Sequence, residues 1–251
     1  MTFTVAVAGK GGVGKTVFSA LAVRHLHEST KEVVLAVDAD PNYNLGAKLG
    51  TEPGKTIGEL REELASLGEE PPPGMAKQEY LEYQIRLALK EGPGFDLLTM
   101  GRQEGPGCYC YVNNILRTLI DSLSSRYRYV VIDNEAGMEH LSRRTTRASD
   151  VLAVLCDRTL SSQRAAERIA RLAEEMRLSI RRKVLVFNGL GPAEERSPAA
   201  VPEVFDAVYA VRRSGRLQAV TENDESLMGL PRSDPAFVDV ASVIDAERGL
   251  G

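Results

Sequence analysis

One short segment, residues 9–16, constrains the fold of this chain more than any other feature. It reads Gly-Lys-Gly-Gly-Val-Gly-Lys-Thr and directly follows an apolar run at residues 3–8 that has the length and composition of a buried strand. Glycines at these spacings let backbone N–H groups curl around phosphate oxygens, and a helix that begins behind them adds its positive end. The segment therefore predicts a strand, a phosphate-binding loop and a helix in succession.

Two side chains of this loop have direct chemical roles in such a motif. Lys15 can reach the β- and γ-phosphates of a nucleotide, and the Thr16 hydroxyl can bind magnesium. A chance glycine turn between a strand and a helix is the alternative interpretation. The full candidate phosphate site comprises Gly9, Lys10, Gly11, Gly12, Val13, Gly14, Lys15 and Thr16.

Short apolar runs rich in Val, Ile and Leu recur along the chain and alternate with stretches of helical periodicity. The clearest helical stretch is 160–176, where apolar residues recur every three or four positions. Runs without a polar face are typical of buried parallel strands, so the sequence predicts an α/β fold, a mostly parallel sheet with helices on both faces. The strand candidates lie at residues 3–8, 33–37, 95–99, 129–132, 151–155 and 183–187.

Length and composition further limit the domain organisation and the class of protein. The 251 residues fit a single domain, 1–251, in which residues 51–94 are the least regular part and carry a helix candidate at 78–90. A net charge of -4 argues against a nucleic-acid partner. No apolar run approaches the roughly 18 residues of a membrane span, and the first residues lack the features of a signal peptide, so we expect a cytoplasmic protein.

Carboxylates follow two of the predicted strands. Asp38 and Asp40 come directly after the strand at 33–37, and Asp133 ends the strand at 129–132. Four apolar residues that end in an acid are typical of a strand that presents a carboxylate to nucleotide-bound magnesium, which predicts that Asp133 holds the ion. Aspartates also favour turns for local backbone reasons, and this alternative stays open for Asp38 and Asp40.

Two cysteines form a second candidate site. Cys108 and Cys110 lie after the strand at 95–99 and before an amphipathic run at 112–123, so the thiols are near a helix start, which favours the metal-binding thiolate. One pair offers two sulfurs where a closed tetrahedral site needs four ligands, and two subunits would supply four. Two ordinary small residues, or a redox pair, are the alternatives. Cys156 ends a buried run and is predicted to be a core residue.

The segment from Lys10 to Thr16 resembles the deviant Walker A motif of the MinD/ParA-type and nitrogenase iron protein-type ATPases. The resemblance implies that Lys10 reaches across a face-to-face dimer to the partner's nucleotide; a solvated surface lysine is the alternative. Residues 38–44 resemble switch I, which implies that Asp40 orients the attacking water and that Asp38 contributes to the magnesium shell.

The same resemblance extends to the switch II segment and to the base site. Residues 134–140 resemble switch II, with Gly137 near the γ-phosphate, whereas Glu135, Glu139 and His140 have no role that we can derive. Asn188, after the strand at 183–187, matches the asparagine that recognises adenine. Residues 220–227, which contain Asn223 and Asp224, resemble the loop that covers the base, although the usual proline is missing.

Taken with the Cys-x-Cys pair, these features resemble the CooC family, the nickel-insertion ATPases that mature carbon monoxide dehydrogenase. The most specific parts are the deviant loop, residues 133–140 with the following 142–144, and the cysteine pair. The resemblance implies ATP hydrolysis with ATP/ADP and Mg²⁺, Ni²⁺ or Zn²⁺ held by Cys108 and Cys110 between subunits, a nucleotide- and metal-dependent homodimer, and a carbon monoxide dehydrogenase-like client.

Two other classes of ATPase stay open as alternatives. A MinD- or ParA-type positioning ATPase would bind a membrane or DNA, but residues 236–251 contain three carboxylates and one arginine, and the chain is acidic. An electron-transfer ATPase like the nitrogenase iron protein would carry an iron–sulfur cluster, but the cluster cysteines of that protein lie far apart in its sequence. We therefore expect neither a membrane nor a nucleic-acid partner.

Overall fold

Eight strands form one sheet within residues 2–66, 74–101, 121–135, 148–191 and 202–249, which the computed structural model describes. Every neighbouring pair is parallel except the last two strands at one edge, β3 and β4. The predicted mostly parallel sheet is thereby confirmed. The strands are β1 (Phe3–Gly9), β2 (Val34–Ala39), β3 (Lys90–Gly92), β4 (Phe95–Thr99), β5 (Tyr129–Asn134), β6 (Ala148–Cys156), β7 (Ser179–Leu190) and β8 (Ala207–Arg212), in the order β3-β4-β2-β5-β1-β6-β7-β8.

Helices cover both faces of this sheet, as the sequence predicts. One face packs against α1, α2 and α7, and the other against α3 and α4 beside β2 and against α5 beside β6. The described helices are α1 (Lys15–Thr30), α2 (Asn44–Leu49), α3 (Ile57–Ser66), α4 (Lys77–Ala88), α5 (Leu160–Glu175), α6 (Gly215–Glu222) and α7 (Pro235–Gly249), with a 3₁₀ turn at Leu227–Gly229.

The central strand β1 shows why its sequence is continuously apolar. Val5 and Val7 pack towards α1, and the alternate residues Ala6 and Ala8 pack towards α5. Because side chains alternate between faces along a strand, a strand covered on both sides needs apolar residues at every position. The carboxyl end of β1 is thereby fixed at the centre of the sheet, directly before the glycine-rich loop.

Two strands are absent from the sequence prediction, and both lie at edges of the sheet. β3 has three residues and pairs antiparallel with β4, while β8 is mostly half-buried beside β7. The predicted helix at 78–90 is α4, which ends at Ala88 because Lys90 already belongs to β3. Residues 51–94 also supply α3, and its Ile57 and Leu60 pack in the core, so this segment completes one face of the sheet.

Two further expectations concern single elements. Cys156 is completely buried at the end of β6, where burial raises the pKa of its thiol to about 12, and this confirms it as a core residue. The final helix α7 buries Phe237, Val240 and Ile244 against α1 and β8. None of the helices within the described residues is long and apolar enough to cross a membrane.

Candidate nucleotide site

The loop between β1 and α1 has the backbone geometry that a phosphate cradle requires. Gly9, Gly12 and Gly14 have φ angles of 150°, 82° and 89°, in a backbone region that residues other than glycine rarely adopt. A Cβ on Gly9 would lie 2.5 Å from the Leu155 carbonyl oxygen of β6, so the loop also passes too close to the neighbouring strand for a larger residue. Glycine is therefore required here by both conformation and space.

The helix behind the loop leaves its positive end available. Gly14 is the N-cap residue of α1 and provides no side-chain cap, and the first turn contains no acidic residue. The first N–H groups of a helix lack intrahelical partners and attract anions. The beginning of α1 is therefore suited to a phosphate group.

Lys15 lies at the centre of this cradle. Its side chain is largely buried and its Nζ donates a hydrogen bond to the Lys10 carbonyl oxygen at 3.3 Å. Burial lowers the pKa of Lys15, while the nearby carboxylates of Asp133, Asp40 and Glu135 act in the opposite direction. The lysine is thus held between the loop backbone and a group of carboxylates, where a polyphosphate with a divalent cation would fit.

Asp133 has the properties of a magnesium ligand. It is 1% exposed at the end of β5, its Oδ1 accepts a hydrogen bond from the Ser19 hydroxyl at 3.1 Å, and its Oδ2 has no partner within the described residues. Burial raises the pKa of Asp133 to about 6, against the effects of the Thr16 and Ser19 hydroxyls and of Lys15. An unpartnered buried carboxylate oxygen beside a threonine hydroxyl fits the oxygen ligands that Mg²⁺ prefers.

Asp38 and Asp40 lie near Asp133, at the carboxyl end of β2. Asp38 pairs in register with Asp133, and burial, together with the Asp133 charge, raises the pKa of Asp38 to about 7. Asp40 is less buried, and its Oδ1 accepts hydrogen bonds from the Asn42 backbone N–H and side-chain amide at 2.9 and 2.8 Å. Sheet register therefore brings together the carboxylates that the sequence places nearly a hundred residues apart.

The Lys10 side chain is exposed. Its Nζ donates to the Ser161 hydroxyl at 3.4 Å, in the first turn of α5 and directly after the turn at residues 157–159. The pKa of Asp157 in this turn is lowered by hydrogen bonds from Thr159 and also by the Lys10 ammonium group. Lys10 thus lies at the surface beside the cradle, and its action on a partner's nucleotide stays a prediction.

The candidate base residues lie in two different places. The Asn188 amide donates to the Val13 carbonyl oxygen at 2.8 Å, so the end of β7 touches the phosphate loop. Asn223 and Asp224 lie at the far end of α6, where Asp224 forms an ion pair with Lys48 of α2 at 2.6 Å. The residue that lies beside Asn188 on the neighbouring strand β8 is Val211, not Asn223 or Asp224. The adenine roles of all three candidates stay predictions.

Several candidates fall outside the described residues: Cys108, Cys110, Gly137, Glu139 and His140. Within the described residues no group of three or more His, Cys, Asp or Glu side chains is placed to hold a metal ion. The cysteine site and the switch II glycine are therefore predictions from the sequence.

Three buried polar residues of this region escape the sequence interpretation. Ser19 binds Asp133, Thr99 of β4 lies in register with Asp38, and Asn134 of β5 donates to the Val7 carbonyl oxygen at 2.9 Å. Ser19 follows Thr16 by three positions on one face of α1, a spacing that could have indicated it. Thr99 and Asn134 become recognisable only once the strand order is known.

A glycine-rich loop between the first strand and first helix of a mostly parallel sheet defines a P-loop nucleotide-binding protein. Residues 4–210 match the sequence profile of the CobQ/CobB/MinD/ParA nucleotide binding domain, and the chain belongs to this family. It is an ATP-binding protein of the MinD/ParA ATPase group.

Individual relatives refine this placement. The chain is 49% identical over 193 residues to an uncharacterized ATP-binding protein of Methanocaldococcus jannaschii, covering 76% of each protein. It is 31% identical over 185 residues to the carbon monoxide dehydrogenase accessory protein CooC of Rhodospirillum rubrum, covering 68% of this chain and 69% of the relative. The septum site-determining protein MinD of Pyrococcus horikoshii, solved with Mg-ADP, superposes with a TM-score of 0.67 at 19% identity, covering 100% of this chain and 98% of MinD, which shows a shared fold.

Proposed function

We propose that this ATPase is a metallochaperone whose nucleotide-dependent homodimer binds nickel or zinc and assists nickel insertion into a carbon monoxide dehydrogenase-like client. The observation that carries the proposal is the 31% identity to a carbon monoxide dehydrogenase accessory protein across two thirds of the chain. The pair Cys108 and Cys110 supports it, because thiolates select soft or borderline ions such as Ni²⁺ and Zn²⁺. We also propose that the protein acts in the cytoplasm.

The nucleotide would lie along the carboxyl edge of the sheet. The loop N–H groups and Lys15 bind the phosphates, and Asp40 orients the attacking water towards the γ-phosphate. Because these carboxylates lie on the β2 and β5 side of β1, the base lies on the other side, near Asn188 of β7. Gly137 senses the γ-phosphate, and the loop at Asn223 and Asp224 is the further base-contact candidate.

Magnesium fits the residues at the phosphate end of this site. The Thr16 hydroxyl and the open Oδ2 of Asp133 would hold it, and the relative MinD binds Mg-ADP. Bound magnesium offsets the charge of the phosphate oxygens. Lys15 neutralises further charge from its buried position beside the loop, so little covalent chemistry by the protein is needed.

In this proposal, metal binding depends on formation of the dimer. ATP brings two copies face to face, Lys10 of each copy reaches the other nucleotide, and the two Cys-x-Cys pairs supply four sulfurs. Hydrolysis separates the copies and releases the metal to the client. The apolar face of α7 is buried against α1 and β8, which disfavours the alternative that this helix binds a membrane surface.

Metal analysis combined with size measurement tests the proposal. Wild type, the Cys108→Ala/Cys110→Ala double variant and a Cys156→Ala control are each prepared with ATP, with ADP and without nucleotide. We expect about one Ni²⁺ or Zn²⁺ per dimer in wild type and in the control, and none in the double variant. Stoichiometric metal in the double variant, or a brown iron-containing protein, would contradict the proposal.

A further inference from the structure

The Asp38 carboxylate makes contacts that differ from those of Asp133. It is 1% exposed near the end of β2 and uses both oxygens: Oδ1 accepts the backbone N–H of Asp40 at 3.1 Å, and Oδ2 accepts that of Leu45 at 2.9 Å. The Oδ2 of Asp133, its neighbour in register, has no partner among the residues that the structure describes. Two buried carboxylates in one row thus differ in whether an oxygen is left for a ligand.

The two donors of Asp38 bracket one short loop. Asp40 begins the loop and Leu45 lies in the first turn of α2. Between them Tyr43 has a φ of 55°, which is unfavourable for a residue with a side chain, and its N–H donates to the Asp40 carbonyl oxygen at 3.2 Å. A loop with such a residue keeps its shape only where surrounding contacts determine it.

Asp38 itself is rigidly held by the sheet. Its backbone carbonyl accepts the Met100 N–H at 2.8 Å, and its register places it between Asp133 of β5 and Thr99 of β4. The two backbone N–H groups favour the ionised form of this carboxyl against the effect of burial on its pKa. The carboxylate therefore connects the rigid sheet to both ends of the loop that carries Asp40.

We propose that Asp38 is a positioning residue, which holds the backbone of Asp40 towards the phosphate end of the site, and that it is not a magnesium ligand. This inference rests on the proposed role of Asp40 in hydrolysis. Replacing Asp38 with Asn retains the shape of the side chain but leaves one acceptor oxygen, and its NH₂ group then faces an N–H group. One of the two contacts is lost, and the loop loosens at one end.

Amide hydrogen exchange of the nucleotide-free protein tests the contact directly. In wild type we expect protection of the Asp40 and Leu45 amides, and in Asp38→Asn an exchange about tenfold faster or more for at least one of them. The control Asp133→Asn should leave both amides within about twofold of wild type. Rapid exchange of both amides in wild type overturns the proposal, and so does their unchanged protection in Asp38→Asn.

Magnesium titration separates a positioning residue from a ligand. For Asp38→Asn we expect ATP turnover at least about tenfold lower, with KM for ATP and the Mg²⁺ concentration for half-maximal nucleotide binding each within about twofold of wild type. For Asp133→Asn the required Mg²⁺ concentration should rise about tenfold or more. An equal rise in Asp38→Asn overturns the proposal. A wild type without ATP turnover would instead refute the proposed hydrolytic role and leave the exchange result to decide whether Asp38 holds the loop.

Discussion

Gly14 is the position at which a single methyl group tests the phosphate cradle most sharply. Its φ is 89°, and a Cβ there would lie 2.4 Å from the Asn188 amide nitrogen. Gly12 is a matched control, because its φ is 82° and a Cβ there would meet no described atom within 4 Å. The two substitutions to alanine thus share the backbone strain and differ in the collision.

The structure sets the size of both effects. A left-handed backbone costs a residue with a side chain roughly 1–2 kcal/mol, so Gly12→Ala should lower the free energy of unfolding by about that amount. Gly14→Ala also displaces the Asn188 amide from the Val13 carbonyl oxygen, and loss of this hydrogen bond adds about 1 kcal/mol. We therefore expect a total of roughly 2–3 kcal/mol for Gly14→Ala.

Urea unfolding of the nucleotide-free protein measures these free energies. Asn188→Ala removes the colliding group, so in that background the cost of Gly14→Ala should fall to the cost of Gly12→Ala. Nucleotide titrations on the same variants would show whether the displaced loop also binds ATP more weakly. Equal costs for Gly12→Ala and Gly14→Ala in the wild-type background, or a cost of Gly14→Ala that Asn188→Ala does not change, would refute the reasoning.

Four further predictions follow from single residues. Lys10→Ala should leave one protomer able to bind ATP but abolish the nucleotide-dependent dimer in size measurements; an unchanged dimer population would exclude its action in trans. Asp40→Ala should reduce ATP turnover at least about a hundredfold with ATP affinity nearly unchanged, and normal turnover would remove it from the mechanism. Glu247→Ala removes a buried carboxylate that accepts hydrogen bonds from Arg182 and Tyr209, each at 2.6 Å, and should lower the free energy of unfolding by about 3 kcal/mol in urea; a change below about 1 kcal/mol would contradict this. Burial raises the pKa of Asp133 to about 6, so between about pH 4 and 6 the folded state retains a proton that the unfolded state has released. The contribution of Asp133 to stability should therefore fall as pH rises through this range, so wild type should lose stability relative to Asp133→Asn in urea unfolding, whereas identical pH profiles would count against it.

The sequence predicts the components of the candidate site where the chemistry is local. The spacing from Gly9 to Thr16 predicts its own loop, because the glycines, the lysine and the threonine act on one phosphate group from neighbouring positions. Asp133 lies at the carboxyl end of β5, directly after four apolar residues, and the same local pattern predicts its role. Edge elements were harder: β3 and β8 carry half-exposed residues and lack the continuous apolar run that marks a buried strand.

Contacts between segments that are distant in the sequence could be recognised only in the folded structure. Nothing in the sequence near Asp38 distinguishes a carboxylate that holds two backbone N–H groups from one with an open oxygen, as in Asp133. The same is true of Asn188, whose amide touches a loop 175 residues away. The family resemblance predicts that Asn223 and Asp224 contact the base, and the ion pair of Asp224 with Lys48 follows only from the positions of α2 and α6.

By itself, the sequence determined the class of this protein, because a P-loop, two strand-terminal carboxylate segments and alternating buried strands are patterns of covalent neighbours. The tertiary structure decided which polar atoms are paired and which remain open, since that depends on strand order and register. β2 lies beside β5, so Asp38 and Asp133 share one buried row although 95 positions separate them in the chain. Within that row the backbone N–H groups of Asp40 and Leu45 bind both oxygens of Asp38, whereas Oδ2 of Asp133 has no partner in the described part of the chain.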